Sequence, residues 1–169
     1  MIEIRRFRES DANEVWTLHN LALEDSGVHL GNGSWDDDLE NVKAVYQENG
    51  GCFLVGVLDG RIVAMGALKR TSPHRAEIKR MRVHPEFQKR GFGTAILLRL
   101  ESQAISVGYH VLHLDTVACQ VAAEKLYSKH GYREVGRKTG GSFEIILYEK
   151  NCSEPQKLDT FSAFLTKFG

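Results

Sequence analysis

The stretch from Met81 to Gly108, MRVHPEFQKRGFGTAILLRLESQAISVG, holds the residues best suited to bind an anion. Leu97, Leu100, Ala104 and Val107 recur at helical spacing, Arg99, Glu101 and Gln103 fall between them, and Gly108 follows as a left-handed stop. The spacing predicts a helix that starts near Gly91 to Thr94. Its first turn has no side chain at Gly91 or Gly93, so the N–H groups left unbonded at a helix start lie open to a ligand, with Lys89 and Arg90 beside them. Open N–H groups, the positive end of the helix dipole and flanking cations together favour phosphate or pyrophosphate. The dinucleotide pattern G-x-G-x-x-G fails, because its third glycine position is Ile96, and no Gly-Lys-Ser/Thr follows to make a P-loop.

The elements that must hold this turn follow from period and punctuation. Ile2, Ile4 and the region of Phe7 read as a first strand, after which Ser10 or Asp11 caps a helix with Val15, Leu18 and Leu21 or Ala22 inward. Trp35 introduces Asp36, Asp37 and Asp38 at the start of a second helix bearing Leu39, Val42, Val45 and Tyr46. These acids have two readings: residues that suit a helix dipole, or an acidic mouth for a cationic amine. Two β-rich runs, Cys52 to Leu58 and Arg61 to Leu68, meet at Asp59-Gly60 as a tight hairpin. On the next strand, Ala76 to Val83, strict alternation puts Glu77, Lys79, Met81 and Val83 on one face and Ile78, Arg80 and Arg82 on the other, an assignment that a bulge would scramble. Downstream come a strand at His110 to Asp115, a helix at Gln120 to His130, and strands at Tyr132 to Gly136 and Phe143 to Glu149. In the tail, Asn151 to Gly169, Leu158, Phe161, Phe164 or Leu165, and Phe168 outline a short amphipathic helix that packs on the domain or mediates a dimer.

Composition narrows the function classes. With 169 residues and 42% hydrophobic content the chain reads as one domain. Lys plus Arg and Asp plus Glu are 22 each, so no global basic field exists for sequence-independent nucleic-acid binding, and nucleic acid is not an expected partner. Cys52, Cys119 and Cys152 are an odd number without a CxxC spacing and read as reduced thiols. His84, His110, His113 and His130 make no metal-ligand spacing, so no metal is expected. No signal core opens the chain and no run approaches the ~20 apolar residues of a membrane span, so the expectation is a cytoplasmic protein with no membrane association.

Gln88-Lys89-Arg90-Gly91-Phe92-Gly93, five residues after Val83 and between a strand and a helix, resembles the acetyl-CoA signature Q/R-x-x-G-x-G/A of the Gcn5-related N-acetyltransferases (GNAT). The resemblance extends over almost the whole chain. It implies an α/β fold: a mixed, mostly antiparallel sheet of about seven strands, flanked by helices, with a splayed parallel central pair at Ala76 to Val83 and His110 to Asp115. The domain would span residues 1–150, with 151–169 as a C-terminal extension. The co-substrate implied is acetyl-CoA: Met81, Arg82 and Val83 would line the pantetheine, while N–H groups from Gln88, Lys89, Arg90, Gly91, Phe92, Gly93 and Thr94 would hold the pyrophosphate. Gln120 stands where many relatives carry a pantetheine-contacting asparagine.

In the mechanism the resemblance implies, an amine attacks the thioester directly, so the amine must lose a proton and the departing thiolate benefits from a donor. Tyr127, in LYSKHGYREVG, matches the family's L-Y-x-K-x-G-F pattern, whose tyrosine is the thiolate acid; the other reading is a core aromatic. Glu77, eleven residues before Gln88, matches the base glutamate of the histone acetyltransferases; the other reading is a positioning residue. His74 and His113 are substitute bases. The expected acceptor is a primary amine of a small molecule such as an amino acid, polyamine or amine-bearing toxin. Alternatives are a protein or peptide amine, and a non-catalytic acyl-CoA-binding regulatory module. Homodimers are common in the family.

Overall fold

The structure, a computed structural model, describes residues 1–152. Strands β1 (Glu3–Arg6), β2 (Cys52–Leu58), β3 (Arg61–Ser72), β4 (Arg75–Val83), β5 (Val111–Val117), β6 (Arg133–Gly140) and β7 (Phe143–Asn151) form one sheet in the order β1-β2-β3-β4-β5-β7-β6. Every neighbouring pair is antiparallel except β4 and β5. This is the mixed seven-stranded sheet expected from the sequence. The segment expected to form a tail helix lies outside the described residues.

Helices α1 (Ala12–Ser26) and α2 (Asp37–Glu40) cover one face, and α3 (Phe92–Val107) and α4 (Val121–Lys129) cover the other. Each turns a stripe inward: Val15, Leu18 and Ala22 on α1, and Ile96, Leu97, Leu100 and Ala104 on α3. Burying each of these larger apolar side chains contributes about 1.5–3 kcal/mol. Central β3 is buried without interruption from Ile62 to Leu68, because helices and strands enclose it on both faces. The Asp59-Gly60 turn joins β2 to β3, both residues at positive φ as a two-residue hairpin requires.

Three sequence expectations need correction. Val107 is 49% exposed, since the end of α3 runs past the sheet. The second helix is not continuous: α2 stops at Glu40, and Lys43–Gln47 forms a wider π turn that still buries Tyr46, with Leu39 and Val42 buried beside it. The alternation expected along β4 is broken by a bulge at Arg80 and Met81. In the register, Met65 faces Arg82 and Ala67 faces Lys79, so Gly66 alone spans two residues of β4. Ile78, Met81 and Val83 therefore all pack toward α3. Gly66 permits this crowding, since a Cβ there would lie 2.6 Å from both the Met81 sulfur and Ile96 Cγ2.

Candidate active site

The parallel pairing of β4 and β5 lasts for three residue pairs, Arg75 with Val111, Ala76 with Leu112 and Glu77 with His113. Beyond Glu77 the strands part, and a cleft of about 730 Å³ opens between them, within the size range of small-molecule sites. Glu77, Met81, Arg82, Val83, Gln88, Gln120 and Tyr127 all line it, so residues separated by up to fifty positions meet in one cavity. Lys89 to Thr94 do not line this cavity but continue the chain directly from Gln88 as the turn into α3. A second hollow, lined by Leu21, Glu24, Arg61 and His84 among others, contains none of the candidate catalytic residues.

The glycine turn reverses the chain sharply before α3, with Lys89 and Gly91 at positive φ (61° and 81°). The first backbone bond of the helix runs from the Ala95 N–H to the Gly91 carbonyl at 3.0 Å, so the N–H groups of Phe92, Gly93 and Thr94 belong to the first turn, which has no carbonyl behind it. Gln88 is tied back by its side-chain N–H to the Val83 carbonyl at 3.3 Å, and the Arg90 guanidinium lies over the Phe87 ring at 5.0 Å. A Cβ at Gly93 would meet Val83 Cγ2 at 3.5 Å and Leu126 Cδ2 at 3.8 Å, ordinary van der Waals contacts.

Tyr127 is buried on α4, its ring held against Tyr132 and Tyr148 at 5.6 and 6.3 Å between centroids. Burial pushes its phenol up to about 12, with Arg82 opposing and Asp115 adding to the rise. The group therefore carries its proton at neutral pH, as a general acid must. Glu77 stands at the fork of the two strands, half-buried, opposite His113 on β5 and Lys69 on β3. His113 Nε2 is 2.8 Å from Thr71 Oγ1, and burial lowers the ring's affinity for a proton while Glu77 opposes that fall. Gln120 stands at the start of α4, its side chain accepting from Thr116 Oγ1 at 3.2 Å and donating to Ser26 Oγ at 3.4 Å.

The wall facing α1 holds residues that sequence reasoning missed. Arg80 occupies the bulge at φ 56°, a conformation costing a non-glycine residue about 1–3 kcal/mol. Its guanidinium is clamped by both Asp38 oxygens, by Asp36 Oδ1 at 3.2 Å and by the Trp35 carbonyl at 2.7 Å. Tyr46 donates to Asp38 as well. Burial raises the pKa of Asp38, but the hydrogen bonds from Arg80 and Tyr46 outweigh it and hold the carboxyl below its usual range. The acids at Asp36 and Asp38 are thus neither simple dipole partners nor an open acidic mouth: they fasten the bulge. No local signal could have shown this, because Arg80 and Asp38 are 42 positions apart.

His19, fully buried on α1, donates from Nε2 to Asp36 Oδ1 at 3.0 Å, and its Nδ1 is sealed without a partner. Burial first, then the charges of Arg82 and Arg80, lowers its pKa to about 4, so this is a hydrogen bond from a neutral ring and not an ion pair. A base that weak and that enclosed does not take a proton from an ammonium group. Among the described residues no group of three or more His, Cys, Asp or Glu side chains is gathered as a metal site. No helix there is long and apolar enough to cross a membrane.

Over 101 residues, 59% of this chain, the sequence is 35% identical to the N-acetylaspartate synthetase of Danio rerio, of which the match covers 36%. The chain spans about a third of the length of the curated relatives it matches. The fold superposes on a GNAT-family acetyltransferase from Staphylococcus aureus Mu50 with a TM-score of 0.83 at 20% identity, covering 90% of this chain and 99% of that one. It also superposes on yncA from Salmonella typhimurium, solved with its cofactor acetyl-CoA, with a TM-score of 0.76 at 20% identity over 94% and 98% of the two chains. The family model described as Acetyltransferase (GNAT) family matches residues 12–132, from α1 through the glycine turn to the end of α4, and the chain belongs to that family.

Proposed function

We propose that the protein transfers the acetyl group of acetyl-CoA to the primary amine of a small molecule, by direct attack within a ternary complex. The observation that carries this reading is Tyr127: a phenol that keeps its proton, fixed by aromatic packing, in the wall of the cleft opened by the parting of β4 and β5. The pyrophosphate would lie on the first-turn N–H groups of α3 and the pantetheine along the edge of β4 at Met81 to Val83. A backbone N–H near Met81 would polarise the acetyl carbonyl where negative charge grows. Glu77 takes one proton from the ammonium, the freed amine nitrogen bonds to the carbonyl carbon, and the carbon–sulfur bond breaks as the Tyr127 hydroxyl gives its proton to sulfur. The second nitrogen proton, lost as the amide forms, returns to the Tyr127 oxygen, and Glu77 gives its proton to water. An amide and free CoA thiol result. The kinship to N-acetylaspartate synthetases supports an amino acid as acceptor.

The test is thiol release from acetyl-CoA with a panel of amino acids, polyamines, aminoglycosides and short peptides, repeated with Tyr127→Phe. The proposal expects release with one amine class, a fall in kcat of about 10²–10⁴ in the variant, and nearly unchanged acetyl-CoA affinity. Equal turnover by the variant removes Tyr127 from the chemistry, and loss of acetyl-CoA binding makes the residue structural.

A further inference from the structure

Two arginines follow one another along the cleft wall with opposite fates. Arg80 is satisfied by two carboxylates and a carbonyl. Arg82, directly after the bulge, donates from Nη1 to the Met81 carbonyl at 2.8 Å, its Nε is sealed without a hydrogen-bond partner, and no carboxylate pairs with it among the described residues. A guanidinium removed from water and left without a counter-anion is costly, and its planar fork of donors fits a carboxylate.

Its surroundings narrow the anion further. Arg82 lies within electrostatic reach of Tyr127, the proposed acid, and of His19, Arg80, Asp36 and Asp38 on the α1 side, the two acids acting through space without a hydrogen bond to it, so an anion held there shares the cavity with the reacting groups. Lys79 also lines the cleft and adds positive charge, and Glu77 and Asp115 line it as acids. Asp36 is occupied by His19, Arg80 and Asn32, and Asp38 by Arg80 and Tyr46, so neither is free to receive an ammonium. A cleft lined by a guanidinium without a bonded carboxylate and by acids matches a substrate that carries both a carboxylate and an amine. A polyamine would bring only positive charge toward Arg82.

We propose that Arg82 binds a carboxylate of the acceptor and so makes this site selective for amino acids over amines that lack a carboxylate. The inference rests on the acetyltransferase reading above and assigns its substrate class to one residue. On binding, the carboxylate takes N–H donors of the Arg82 fork and leaves the amine to approach the thioester.

The experiment compares L-aspartate and L-alanine with their amides, and with spermidine, as acceptors at saturating acetyl-CoA for the unaltered protein, Arg82→Met and Arg82→Lys. The expected result is a preference for acid over amide of at least about tenfold in kcat/KM, roughly 1.4 kcal/mol. In Arg82→Met that ratio falls toward one through a raised KM for the acids, and Arg82→Lys keeps part of it. Equal use of acids and amides by the unaltered protein overturns the proposal. So does a parallel fall in both rates in Arg82→Met, which would place the guanidinium beside the leaving thiolate, or a weakened acetyl-CoA affinity with the ratio intact, which would place it on the cofactor. Calorimetry of N-acetyl-L-aspartate and N-acetyl-L-alanine against the CoA-bound protein separates the two levels. Arg82-dependent binding without turnover of any amine contradicts the transferase reading alone, whereas turnover without an acid preference contradicts only the role of Arg82.

Discussion

Tyr127 and Glu77 divide the proton work of the proposed reaction, and their surroundings predict different pH behaviour. With its phenol pushed up to about 12, Tyr127 remains an acid across the whole range in which most proteins are stable, so it should impose no loss of rate between pH 7 and about 10. An acceptor amine with a pKa near ~10 is mostly protonated at pH 7, and Glu77 is needed only while that is so. Glu77→Gln should therefore lower kcat/KM by about 10²-fold at pH 7 and progressively less as pH rises toward the amine's own pKa. Initial rates from pH 6.5 to 10 would show this convergence. A defect of constant size across that range would make Glu77 a positioning residue. The family motifs singled out both residues as candidates, but not that Glu77 marks the fork of the sheet, because where two strands part depends on pairing that no local pattern records.

At the level of elements, the site depends on two pieces of backbone: the bulge in β4 and the turn into α3. Asp38 and Arg80 are largely shielded, with side chains 14% and 10% exposed, so removing one partner leaves a buried charge. Asp38→Ala should destabilise the fold by about 3–5 kcal/mol in urea unfolding, and a loss below about 1 kcal/mol would mean the clamp does not hold the bulge. The carboxyls of Asp36 and Asp38 are depressed in the folded state, so their contribution is fully present above the ordinary carboxylate range and is lost as pH falls through the depressed values. Stability should hold from pH 7 to about 5 and decline below about 4, less steeply in Asp38→Asn. The turn gives a cleaner probe. Gly93 lies within α3, has no positive φ, and has room for a methyl group. Gly93→Ala should leave the melting temperature unchanged or slightly raised, by helix propensity, while weakening acetyl-CoA about tenfold. Unchanged affinity in a titration would remove the pyrophosphate from this turn. The turn and α3 were legible because helix stops, glycines and apolar spacing are local. The bulge was not, since Arg80 finds Asp36 and Asp38 only after α1 and α2 have packed on the sheet.

Across the whole molecule, the strands, the Asp-Gly hairpin and the covering helices follow from local signals in the chain, whereas the parallel central pair was implied by the family resemblance and the order of the strands was not readable. What tertiary packing adds is the distribution of charge in the cleft, with one arginine neutralised by acids from a distant segment and its neighbour left unpaired. The reaction ascribed to this cleft requires the acetyl group to pass directly from sulfur to nitrogen without resting on the protein. The most direct measurement is the stoichiometry of thiol and N-acetyl product after mixing the protein with acetyl-CoA, first alone and then with an amino-acid acceptor. Direct transfer predicts no thiol beyond background without the acceptor, and one thiol for each N-acetylated amine once it is added. Tight acetyl-CoA binding with no amine-dependent release from any acceptor, or a burst of thiol and an acetylated protein before the amine is present, would contradict it.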